Sequence, residues 1–427
     1  MSVSTKFEHR AVEDIVPDNL QARRHNKKQI EKALRLFARQ GIKSPLVIDE
    51  HDRIIDGHLR YHCAVDLRYT ELPVVVVTDL SEQQRIELSL SLNRLPQDTV
   101  WDQAALKIQL ETLLSFEVDL SFTGFEVAEL DAALSFGVVT NDPDDIGTLP
   151  TEPISQVGDI WKVGNHYLIC GNALELSSLF QVLSIHAPSL VVTDPPYNVS
   201  VKRHVQVHGH HEEFSMASGE MDDATFGAFL EDFLQNAKTI STSDALFYVF
   251  MDWRHYPLLD QAAKDVGFIP RNLCVWTKNN AGMGSFYRSQ HELVGVYSAS
   301  EHYQNNIKLG THGRYRTNVW HYPGANSFGP TRTQDLADHP TVKPKALIMD
   351  IIKDCTSIGD VVLDPFLGSG TTLLACQATK RQGIGVELDP CYVDVALRRL
   401  HDQFGLDGVQ QSTGSTYSNL LKESSHG

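Results

Sequence analysis

Hydrophobic positions along the chain recur in patterns that predict an alternation of helices and buried strands. Apolar residues three and four positions apart over Lys27–Gln40 predict an amphipathic helix, which Gly41 ends. Short continuous apolar runs, such as Leu190–Val192 and Val361–Leu363, predict strands that are buried on both faces. Buried strands that alternate with helices are typical of an α/β protein with a mostly parallel sheet.

The first 100 residues carry a hydrophobic pattern of their own. Short strands are predicted at Pro45–Ile48, Arg53–Ile55 and Pro73–Val77, and a helix opens after Asp56-Gly57. This mixture predicts a small α+β domain over residues 1–100, separate from the rest of the chain.

The middle of the chain predicts a connection between two domains. Leucines at helical spacing over Asp102–Phe136 predict two helices broken at Gly124, which we interpret as a helical connector over 101–140. Residues 141–156 are acidic, contain prolines and lack periodicity, so a linker is predicted there. A larger α/β domain is predicted over 157–405, and the Ser/Gly-rich stretch 406–427 predicts a flexible tail.

Length and composition narrow the class of protein. The chain has 427 residues, 42% of them hydrophobic, which is enough for more than one globular core. No apolar run approaches the roughly 18 residues of a membrane span, and no signal-peptide pattern is present, so we expect a cytoplasmic protein of prokaryotic or phage type and no membrane partner. The six cysteines form no C-x-x-C pair, and the histidines around 204–211 match no standard ligand spacing; neither predicts a metal site.

Charge is unevenly distributed. The net charge of −17 is unfavourable for a protein that binds nucleic acid. Between residues 267 and 332, however, the sequence contains seven basic and two acidic residues, an excess of five positive charges. Aromatic residues are interleaved with them. This pattern predicts a target-recognition region at about 278–333, with four candidate DNA-binding residues: Lys278, Arg288, Arg314 and Arg316.

The turn Asp194-Pro195-Pro196-Tyr197 carries candidate chemistry. It leaves the carboxyl end of a predicted parallel strand, where ligands of α/β sheets bind. The two prolines fix the backbone and hold the carbonyl groups outward beside one carboxylate and one aromatic ring. Such a set suits a planar ring with an exocyclic amino group. A proline-rich surface turn explains these four residues equally well when they are taken alone.

A second stretch favours the functional interpretation. Asp364-Pro-Phe366-Leu-Gly368-Ser-Gly370 follows a predicted strand and opens a predicted helix at Thr371–Thr379. A further strand, Gly383–Val386, ends in Glu387. An acidic residue about 20 positions after a glycine turn of this kind is well placed to bind ribose hydroxyl groups.

Together the two stretches resemble the motifs of DNA methyltransferases that methylate exocyclic amino groups with S-adenosyl-L-methionine. The catalytic motif precedes the cofactor motif, as in the β group of that family, and His339–Pro344 resembles the segment that this group carries just upstream of the cofactor loop. The resemblance covers about Val157–Phe404. It implies a circularly permuted, Rossmann-like fold.

The resemblance also implies roles for individual residues. The catalytic turn carries over to Asp194, Pro195, Pro196 and Tyr197. The cofactor-binding set carries over to Asp364, Phe366, Gly368, Gly370, Glu387, Asn172 and Lys343. Asn172 departs from the family, which usually has an aspartate there to contact the adenine ring of the cofactor. The implied activity is site-specific methylation of adenine N6 in double-stranded DNA, with the target base flipped out of the helix.

Two alternatives stay open at this stage. The first is methylation of cytosine N4, for which the family usually has serine in place of Asp194. The second is a ParB-like DNA-binding protein whose methyltransferase domain binds cofactor or DNA without catalysis. A restriction nuclease within the same chain is not expected, because the sequence shows no nuclease motif. The sequence leaves open whether a separate cognate nuclease exists.

The N-terminal domain shows a second resemblance. Ile54–Arg60, followed by Leu72–Val76, resembles the N-terminal domain shared by ParB partition proteins and sulfiredoxins. In those families the Gly-x-x-Arg turn lies at a nucleotide phosphate site, which implies such a site at Gly57 and Arg60. The basic cluster Arg23–Lys28 is either a solvated surface or a further phosphate contact. The expected partners are therefore DNA and a nucleotide, and homodimerisation is left open.

Overall fold

The computed structural model divides into two compact units, Met1–Gly137 and Val138–Gly427. We call them the N-terminal unit and the C-terminal unit. The structure describes residues 5–18, 25–116 (the side chain of Gln97 excepted), 118–136, 149–150, 152–175, 187–198, 221–279, 281, 286–307, 316–324 and 343–424. None of the helices in these ranges is long and apolar enough to cross a membrane.

The N-terminal unit contains a four-stranded mixed sheet with the strand order β1-β4-β2-β3. β1 pairs antiparallel with β4, β4 parallel with β2, and β2 antiparallel with β3. The strands are β1 Thr5–Ala11, β2 Leu46–Asp49, β3 Ile54–Asp56 and β4 Glu71–Val77. The helices are α1 Lys27–Gln40, α2 His58–Asp66, α3 Glu82–Arg94, α4 Gln103–Ser115 and α5 Val127–Leu134.

Local sequence signals account for the first helix of this unit. The side chain of Asn26 caps α1 by accepting a hydrogen bond from the backbone N–H of Gln29 at 2.8 Å, and Gly41 ends it with a positive φ of 75°. The predicted helix Lys27–Gln40 is confirmed. Strand β1 was not predicted, because its alternating charged and apolar residues form a strand only when β4 supplies the hydrogen bonds.

The helices predicted as a connector pack within the N-terminal unit. Lys28 and Lys32 on α1 both form ion pairs with Glu126, which stands directly before α5. Arg39 of α1 lies over the ring of Phe122 at 4.3 Å. The break predicted at Gly124 is present, since Gly124 has a positive φ of 86° between the two helices.

The described residues of the C-terminal unit form a ten-stranded sheet with the order β11-β9-β10-β8-β7-β12-β13-β6-β5-β14. The strands are β5 Ile160–Val163, β6 His166–Cys170, β7 Leu190–Thr193, β8 Leu246–Met251, β9 Ile269–Thr277, β10 His291–Ser298, β11 Val319–His321, β12 Val361–Asp364, β13 Gln382–Glu387 and β14 Gly408–Gln410. The helices are α6 Asp223–Ile240, α7 Tyr256–Asp265, α8 Lys345–Cys355, α9 Thr371–Ala378, α10 Pro390–Phe404 and α11 Tyr417–Ser424.

The centre of this sheet contains a topological switch point. Strands β8, β7, β12, β13 and β6 run parallel in that order. The chain leaves β7 through α6 to β8 on one side, and it leaves β12 through α9 to β13 on the other side. Ligands of open α/β sheets bind beyond the carboxyl ends of the strands at such a point. The two motif-bearing turns start there.

Both faces of the sheet are covered, which explains the continuous apolar runs in the sequence. Val191 and Leu363 point into one apolar cluster with α6 and α7, whereas Leu190 and Val192 point into another with α8 and α9. Strands buried on two faces lose the alternation of apolar and polar residues. The predicted fold class, a Rossmann-like, mostly parallel sheet together with a small α+β domain, is confirmed.

The C-terminal stretch differs from the predicted flexible tail. Gly408–Gln410 forms β14 and pairs antiparallel with β5, and Tyr417 packs edge-on against Trp161 with ring centroids 5.8 Å apart. The Ser/Gly-rich composition gave no sign of the open edge of β5 that supplies this pairing. Part of the predicted linker is also held in place, because Ser155 donates a hydrogen bond from its hydroxyl to Asp394 at 2.6 Å.

Candidate active site

The Asp194–Tyr197 turn leaves β7 at the switch point, as predicted. The Tyr197 hydroxyl donates a hydrogen bond to Asp194 Oδ1 at 2.5 Å and another to Glu292 Oε2 at 3.2 Å. Burial, followed by the two carboxylates, raises the pKa of Tyr197 well above its ordinary value, so the hydroxyl stays protonated and acts as the donor. The turn therefore holds its carboxylate in a fixed direction.

Lys343 joins this turn from the segment directly before α8. Its Nζ donates a hydrogen bond to Asp194 Oδ2 and lies 3.1 Å from Glu292 Oε2. Its side chain is only 8% exposed, and its ammonium group lies 5.2 Å from the ring centroid of Phe250 and 5.8 Å from that of Trp276. The resemblance implies a cofactor-binding role for Lys343, which stays a prediction; in the structure its charge contacts the Asp194–Tyr197 turn.

Glu292 also belongs to this cluster, although no motif in the sequence pointed to it. It stands at the beginning of β10, which runs antiparallel to β8. The beginning of β10 therefore lies at the edge where the parallel strands end. Glu292 accepts hydrogen bonds there from Tyr197 and from Lys278. The sequence offers one signal for this placement, an acidic residue at the start of a strand that runs antiparallel to the parallel strands.

The two carboxylates differ in their ionisation although they share Lys343. Burial raises the pKa of Asp194, and the charge of Glu292 raises it further, against the opposing effect of Lys343. Burial also disfavours the charged form of Glu292, but Lys343 and Lys278 outweigh this and lower its pKa to about 2. Two ammonium groups contact Glu292 and one contacts Asp194, which explains the difference.

Asp364, at the end of β12, points into the protein. Its Oδ1 accepts hydrogen bonds from the Thr193 hydroxyl at 2.9 Å and the Phe366 N–H at 3.2 Å, and its Oδ2 accepts one from the Thr372 hydroxyl at 2.6 Å. Burial raises the pKa of Asp364 to about 6. These bonds join the ends of β7 and β12 and fix the start of the glycine loop.

Glu387 closes the other side of that loop. Its Oε2 accepts a hydrogen bond from the Gly368 N–H at 2.7 Å, and its Oε1 accepts one from the Asp389 N–H at 2.9 Å. Burial raises the pKa of Glu387 to about 7. The backbone of Gly171 donates to the Glu387 carbonyl at 2.8 Å, which brings the neighbouring Asn172 to the same strand end.

The two glycines of the loop have different surroundings. A Cβ at Gly370 would lie 2.6 Å from the Cβ of Ala396, so this glycine allows α10 to pack against the loop. A Cβ at Gly368, where φ is 55°, would meet no atom within 4 Å among the described residues. The backbone at Gly368 therefore borders open space at the switch point.

The glycine loop is supported by contacts of Phe366 and Arg399. The Phe366 ring packs against Phe229 and Phe233, with centroids 5.8 and 5.3 Å away. The buried guanidinium of Arg399 donates to the Ser369 carbonyl at 2.8 Å and to the Ser369 hydroxyl at 3.0 Å. These contacts hold the loop in shape.

The predicted DNA-binding residues are in different environments. Lys278 contacts Glu292 inside the candidate active site, and Arg288 donates to the Ala281 carbonyl at 2.7 Å on the surface. Arg316, whose predicted contact with DNA stays a prediction, forms ion pairs with Asp354 at 2.6 Å and Asp350 at 3.4 Å. Two carboxylates on α8 hold this guanidinium, which leaves less of its charge for phosphate.

Several predicted features lie outside the described residues. They are Arg314, the histidines around 204–211, and much of the region 278–333. Within the described part of that region, Phe286 and Tyr287 are 86% and 82% exposed in the connection between β9 and β10. Among the residues that the structure covers, no group of three or more side chains suited to a metal ion is found.

The Gly57–Arg60 turn of the N-terminal unit opens α2. Gly57 has a positive φ of 111°, and a Cβ there would lie 2.9 Å from the side chain of Leu46. Arg60 donates to Asp56 Oδ2 at 2.8 Å, while its Nε is buried without a hydrogen-bond partner among the described residues. The same holds for Nε2 of His58, a side chain that is 8% exposed.

The sheet order and the switch point define a Rossmann-like fold, in which the carboxylate of the first turn lies at the same sheet edge as the glycine loop. Residues 189–398 match the family model described as DNA methylase, and this part of the chain belongs to that family, which covers enzymes of adenine N6 and of cytosine N4. The matched part of the chain is therefore a DNA methyltransferase domain, and S-adenosyl-L-methionine is the methyl donor of its family. Residues 104–157 match the ParB-methyltransferase HTH domain, a model that includes α4 and α5.

Known relatives carry the same enzyme class in their names. The chain is 25% identical over 267 residues to type II methyltransferase M.HpaI of Haemophilus parainfluenzae, covering 57% of this chain and 77% of the relative. It is 26% identical to type II methyltransferase M2.MboI of Moraxella bovis, over 56% of this chain and 88% of the relative. The M1.HpyAVI–SAM complex is similar at 24% identity and a TM-score of 0.41, covering 55% of this chain and 98% of that one.

The residues at the loop fit the family's cofactor. The Gly368 backbone borders open space and contacts the Glu387 carboxylate, and Gly171, next to Asn172, donates to the Glu387 carbonyl. A ribose needs a carboxylate acceptor, and a close ligand needs a glycine without a side chain in its path. Both conditions are met at this strand edge.

Proposed function

We propose that the protein methylates the N6 amino group of adenine at specific sites in double-stranded DNA. The observation that carries this proposal is the Asp194 carboxylate, which Tyr197 and Lys343 fix at the switch point beside the glycine loop. A carboxylate in this position can accept a hydrogen bond from an exocyclic amino group. It lies next to the place where a methyl donor fits.

In this mechanism the chain supplies orientation and charge. Asp194 and the Pro195 carbonyl accept hydrogen bonds from the two N–H groups of the amino group, which directs the nitrogen lone pair toward the methyl donor. S-adenosyl-L-methionine, when bound, supplies an electrophilic methyl group. The carboxylate stabilises the positive charge that develops on nitrogen, and the raised pKa of Asp194 suits it to take up the proton that leaves. The buried cysteines have no role in this scheme.

The target base has to leave the duplex to reach this turn. Flipping costs a few kcal/mol of unstacking. This cost is offset by contacts that the protein makes with the extruded base and with the bases that remain stacked. We propose that the β9–β10 connection provides them, because the exposed Phe286 and Tyr287 rings lie 4.5 Å apart, with Arg288 beside them. Aromatic faces stack on bases, and a guanidinium binds phosphate.

Within the loop we propose a division of roles among the predicted cofactor residues. Gly368, which borders open space, would touch the cofactor together with Glu387 and Asn172. Asp364, Gly370 and Phe366 hold the loop in shape through buried contacts. Lys343 acts on the catalytic turn.

Adenine is proposed over cytosine because of the residue at position 194. The β-group resemblance associates aspartate with adenine N6 and serine with cytosine N4. Aspartate accepts two hydrogen bonds strongly and carries the charge that balances the forming ammonium, whereas serine has no charge. The family match includes both bases, so the experiment below is designed to separate them.

The direct test is to analyse the DNA of cells that express the protein. The DNA is digested and the nucleosides are chromatographed; N6-methyladenine is the expected product, and it should be absent with Asp194→Ala. N4-methylcytosine in its place would reverse the base assignment. If no methylated nucleoside appears while calorimetry shows cofactor binding, the domain is non-catalytic, which is the alternative kept from the sequence.

For the N-terminal unit we propose a phosphate-bearing nucleotide as ligand. The supporting observation is a pair of buried nitrogen atoms, Nε of Arg60 and Nε2 of His58, that have no hydrogen-bond partner in the part of the chain that the structure describes and lie beside the positive-φ Gly57. Titrating nucleoside triphosphates into the full chain by calorimetry tests this. Binding should disappear with Arg60→Ala, while DNA methylation by the C-terminal unit should continue.

We further propose that the protein works in the cytoplasm of a prokaryotic cell as the modification enzyme of a restriction system. Its similarity to enzymes named type II methyltransferases supports this. Digesting host DNA with extracts of the source cells, with and without prior methylation by this protein, tests for the corresponding nuclease.

A further inference from the structure

We propose that Glu292 is a positioning residue for methyl transfer, which shares Lys343 with Asp194 and so keeps the Asp194 carboxylate available to the target amino group. The inference deepens the proposed function and rests on it. None of the motifs that resemble the methyltransferase family includes Glu292.

The first support is the geometry of the shared lysine. Lys343 Nζ contacts both carboxylates, Asp194 through Oδ2 and Glu292 through Oε2 at 3.1 Å. Tyr197 repeats this bridging, with hydrogen bonds of 2.5 Å to Asp194 and 3.2 Å to Glu292. Two separate donors thus stand between the same two carboxylates.

The second support is the enclosure of the ammonium group. Lys343 is 8% exposed, and the rings of Phe250, Trp276 and Tyr197 lie within 5.2 to 5.8 Å of its charge. A buried cation that loses its only partner is strongly destabilised. When a target amino group engages Asp194, Lys343 can remain on Glu292.

The third support is charge balance around Asp194. The facing groups are Tyr197 on the same turn, Lys278 after β9, Glu292 on β10, Lys343 before α8, and Asp364 after β12. Two ammonium groups meet two carboxylates in the Asp194–Glu292–Lys278–Lys343 cluster. The Asp364 carboxylate is occupied by Thr193, Thr372 and the Phe366 N–H. Without Glu292, Asp194 would be the one carboxylate of this cluster left to pair with Lys343.

An over-tight ion pair at Asp194 would weaken the turn as an acceptor. In a poorly solvated site, an ammonium group that is not shared holds a carboxylate strongly and lowers its proton affinity. The amino group of the base would then compete with Lys343 for Oδ2. Glu292 prevents this because it binds Lys343 and because its own negative charge raises the proton affinity of Asp194.

The test compares Glu292→Gln with the wild type in single-turnover methylation at saturating DNA and cofactor. We expect the rate constant at neutral pH to fall by up to roughly 100-fold, the loss that a misplacement of about 1 Å can cause. We also expect the acidic limb of the pH–rate profile to move to lower pH, because Asp194 loses its like-charged neighbour. Cofactor affinity should not change, and Glu292→Asp should recover part of the rate.

Lys278→Gln is the opposing control. Without Lys278, Glu292 draws Lys343 more strongly and its charge acts more fully on Asp194, so the acidic limb should move to higher pH. A purely structural role of Glu292 would lower the rate at every pH and leave the limb in place. An unmoved limb in Glu292→Gln, or an unchanged rate, would overturn the proposal.

A second measurement separates this inference from the proposed function. Carbon-13 NMR of labelled aspartate carboxyls, with Asp194 assigned from Asp194→Asn, follows the titration of Asp194 without any methyl transfer. Its midpoint should lie lower in Glu292→Gln than in wild type, even if no DNA is methylated. If the wild type methylates DNA and the two midpoints are identical, the role of Glu292 is refuted and the proposed function stands. If the wild type methylates no DNA, the proposed function is refuted.

Discussion

The turns that follow β7 and β12 both begin with Asp-Pro and leave neighbouring strands at the same edge of the sheet. After β7, the carboxylate of Asp194 meets an ammonium group and a phenol, and a second proline stiffens the chain. After β12, the carboxylate of Asp364 meets two threonine hydroxyls and a backbone N–H, and glycines follow. One carboxylate belongs to a charged cluster at the edge, and the other is enclosed by neutral donors.

This difference shows that membership of a motif does not tell whether a residue touches a ligand. Neutral donors satisfy Asp364 inside the protein, so its contribution is to tie the two strand ends together. Charged partners leave Asp194 in a balance that an incoming amino group can shift. The sequence predicts both aspartates as functional, and only the surroundings separate contact from support.

Exchanging each aspartate for alanine should affect stability in one turn and methylation in the other, and this is the largest effect we expect. Asp364→Ala leaves two buried hydroxyls and one N–H without acceptor, each worth about 1–3 kcal/mol. Asp194→Ala leaves Lys343 paired with Glu292. Thermal unfolding should therefore show the greater loss for Asp364→Ala, whereas methylation should be abolished in Asp194→Ala although the cofactor still binds. Equal losses of stability would remove the distinction.

The two glycines sharpen the comparison within the second turn. Gly370→Val forces a side chain against Ala396, so we expect about 1–3 kcal/mol of destabilisation from overpacking, in addition to backbone strain. Gly368→Val meets open space, so its stability loss should be limited to backbone strain of about 1–2 kcal/mol. Calorimetry should instead show a roughly tenfold or greater loss of S-adenosyl-L-methionine affinity at Gly368, a change of about 1.4 kcal/mol. Unchanged affinity would move the cofactor elsewhere.

The ionisation of Glu387 gives a smaller effect that depends on pH. Burial raises its pKa to about 7 in the folded protein, so the free enzyme holds a proton there that the unfolded chain would release. Hydroxyl groups of a bound ribose favour the charged form. Cofactor binding should therefore release protons near pH 7, and affinity should fall as the pH drops from 8 to 6. Glu387→Gln should bind more weakly and lose this dependence; retention of the same pH dependence would assign it to another group.

The same sign predicts a difference in stability. A folded-state pKa above the unfolded value stabilises the native protein at low pH, and this contribution is lost as the pH rises through about 7. Glu387→Gln does not titrate. The unfolding temperature of Glu387→Gln relative to wild type should therefore increase from pH 5 to pH 8.

The smallest effect concerns the N-terminal unit, and it tests whether both turns act within the C-terminal unit alone. Residues 151–427 should fold and retain methyl transfer, because the sheet and both turns lie within Val138–Gly427. If the basic cluster Arg23–Lys28 touches phosphates, deletion of residues 1–150 should flatten the salt dependence of DNA binding by about one unit of slope per lost contact. An identical slope for the two proteins would exclude phosphate contacts by this unit.

Local signals were sufficient to predict much of the fold and both turns. The apolar runs of β7 and β12 are buried on both faces, and the proline and glycine turns follow them directly, so each feature lies within a few residues of its own evidence. The chemistry of Asp194 and Glu387 follows from the same short stretches, and their roles stay predictions until the experiments above are done.

What the sequence could not supply depends on contacts between distant segments. Glu292 reaches the site only because β10 runs antiparallel to β8, and Lys343 only because α8 starts beside the turn. The pairing of β14 with β5 likewise depends on a strand edge that lies some 250 residues earlier. The interpretation of α4 and α5 as a connector was made from leucine spacing, which does not distinguish a connector from the helix-turn-helix domain that the family model matches.

The hydrogen bond between Thr193 and Asp364 joins residues 171 positions apart, and it has a consequence for how the protein is made. During synthesis β7 emerges long before β12. Strand β7 therefore lacks one of its two neighbouring strands while most of the second half of the chain is translated. Closing so long a loop is slow, and an unpaired apolar strand edge is prone to aggregate while it waits. A nascent chain that stops short of β12 therefore holds the catalytic sequence but no completed sheet to present it.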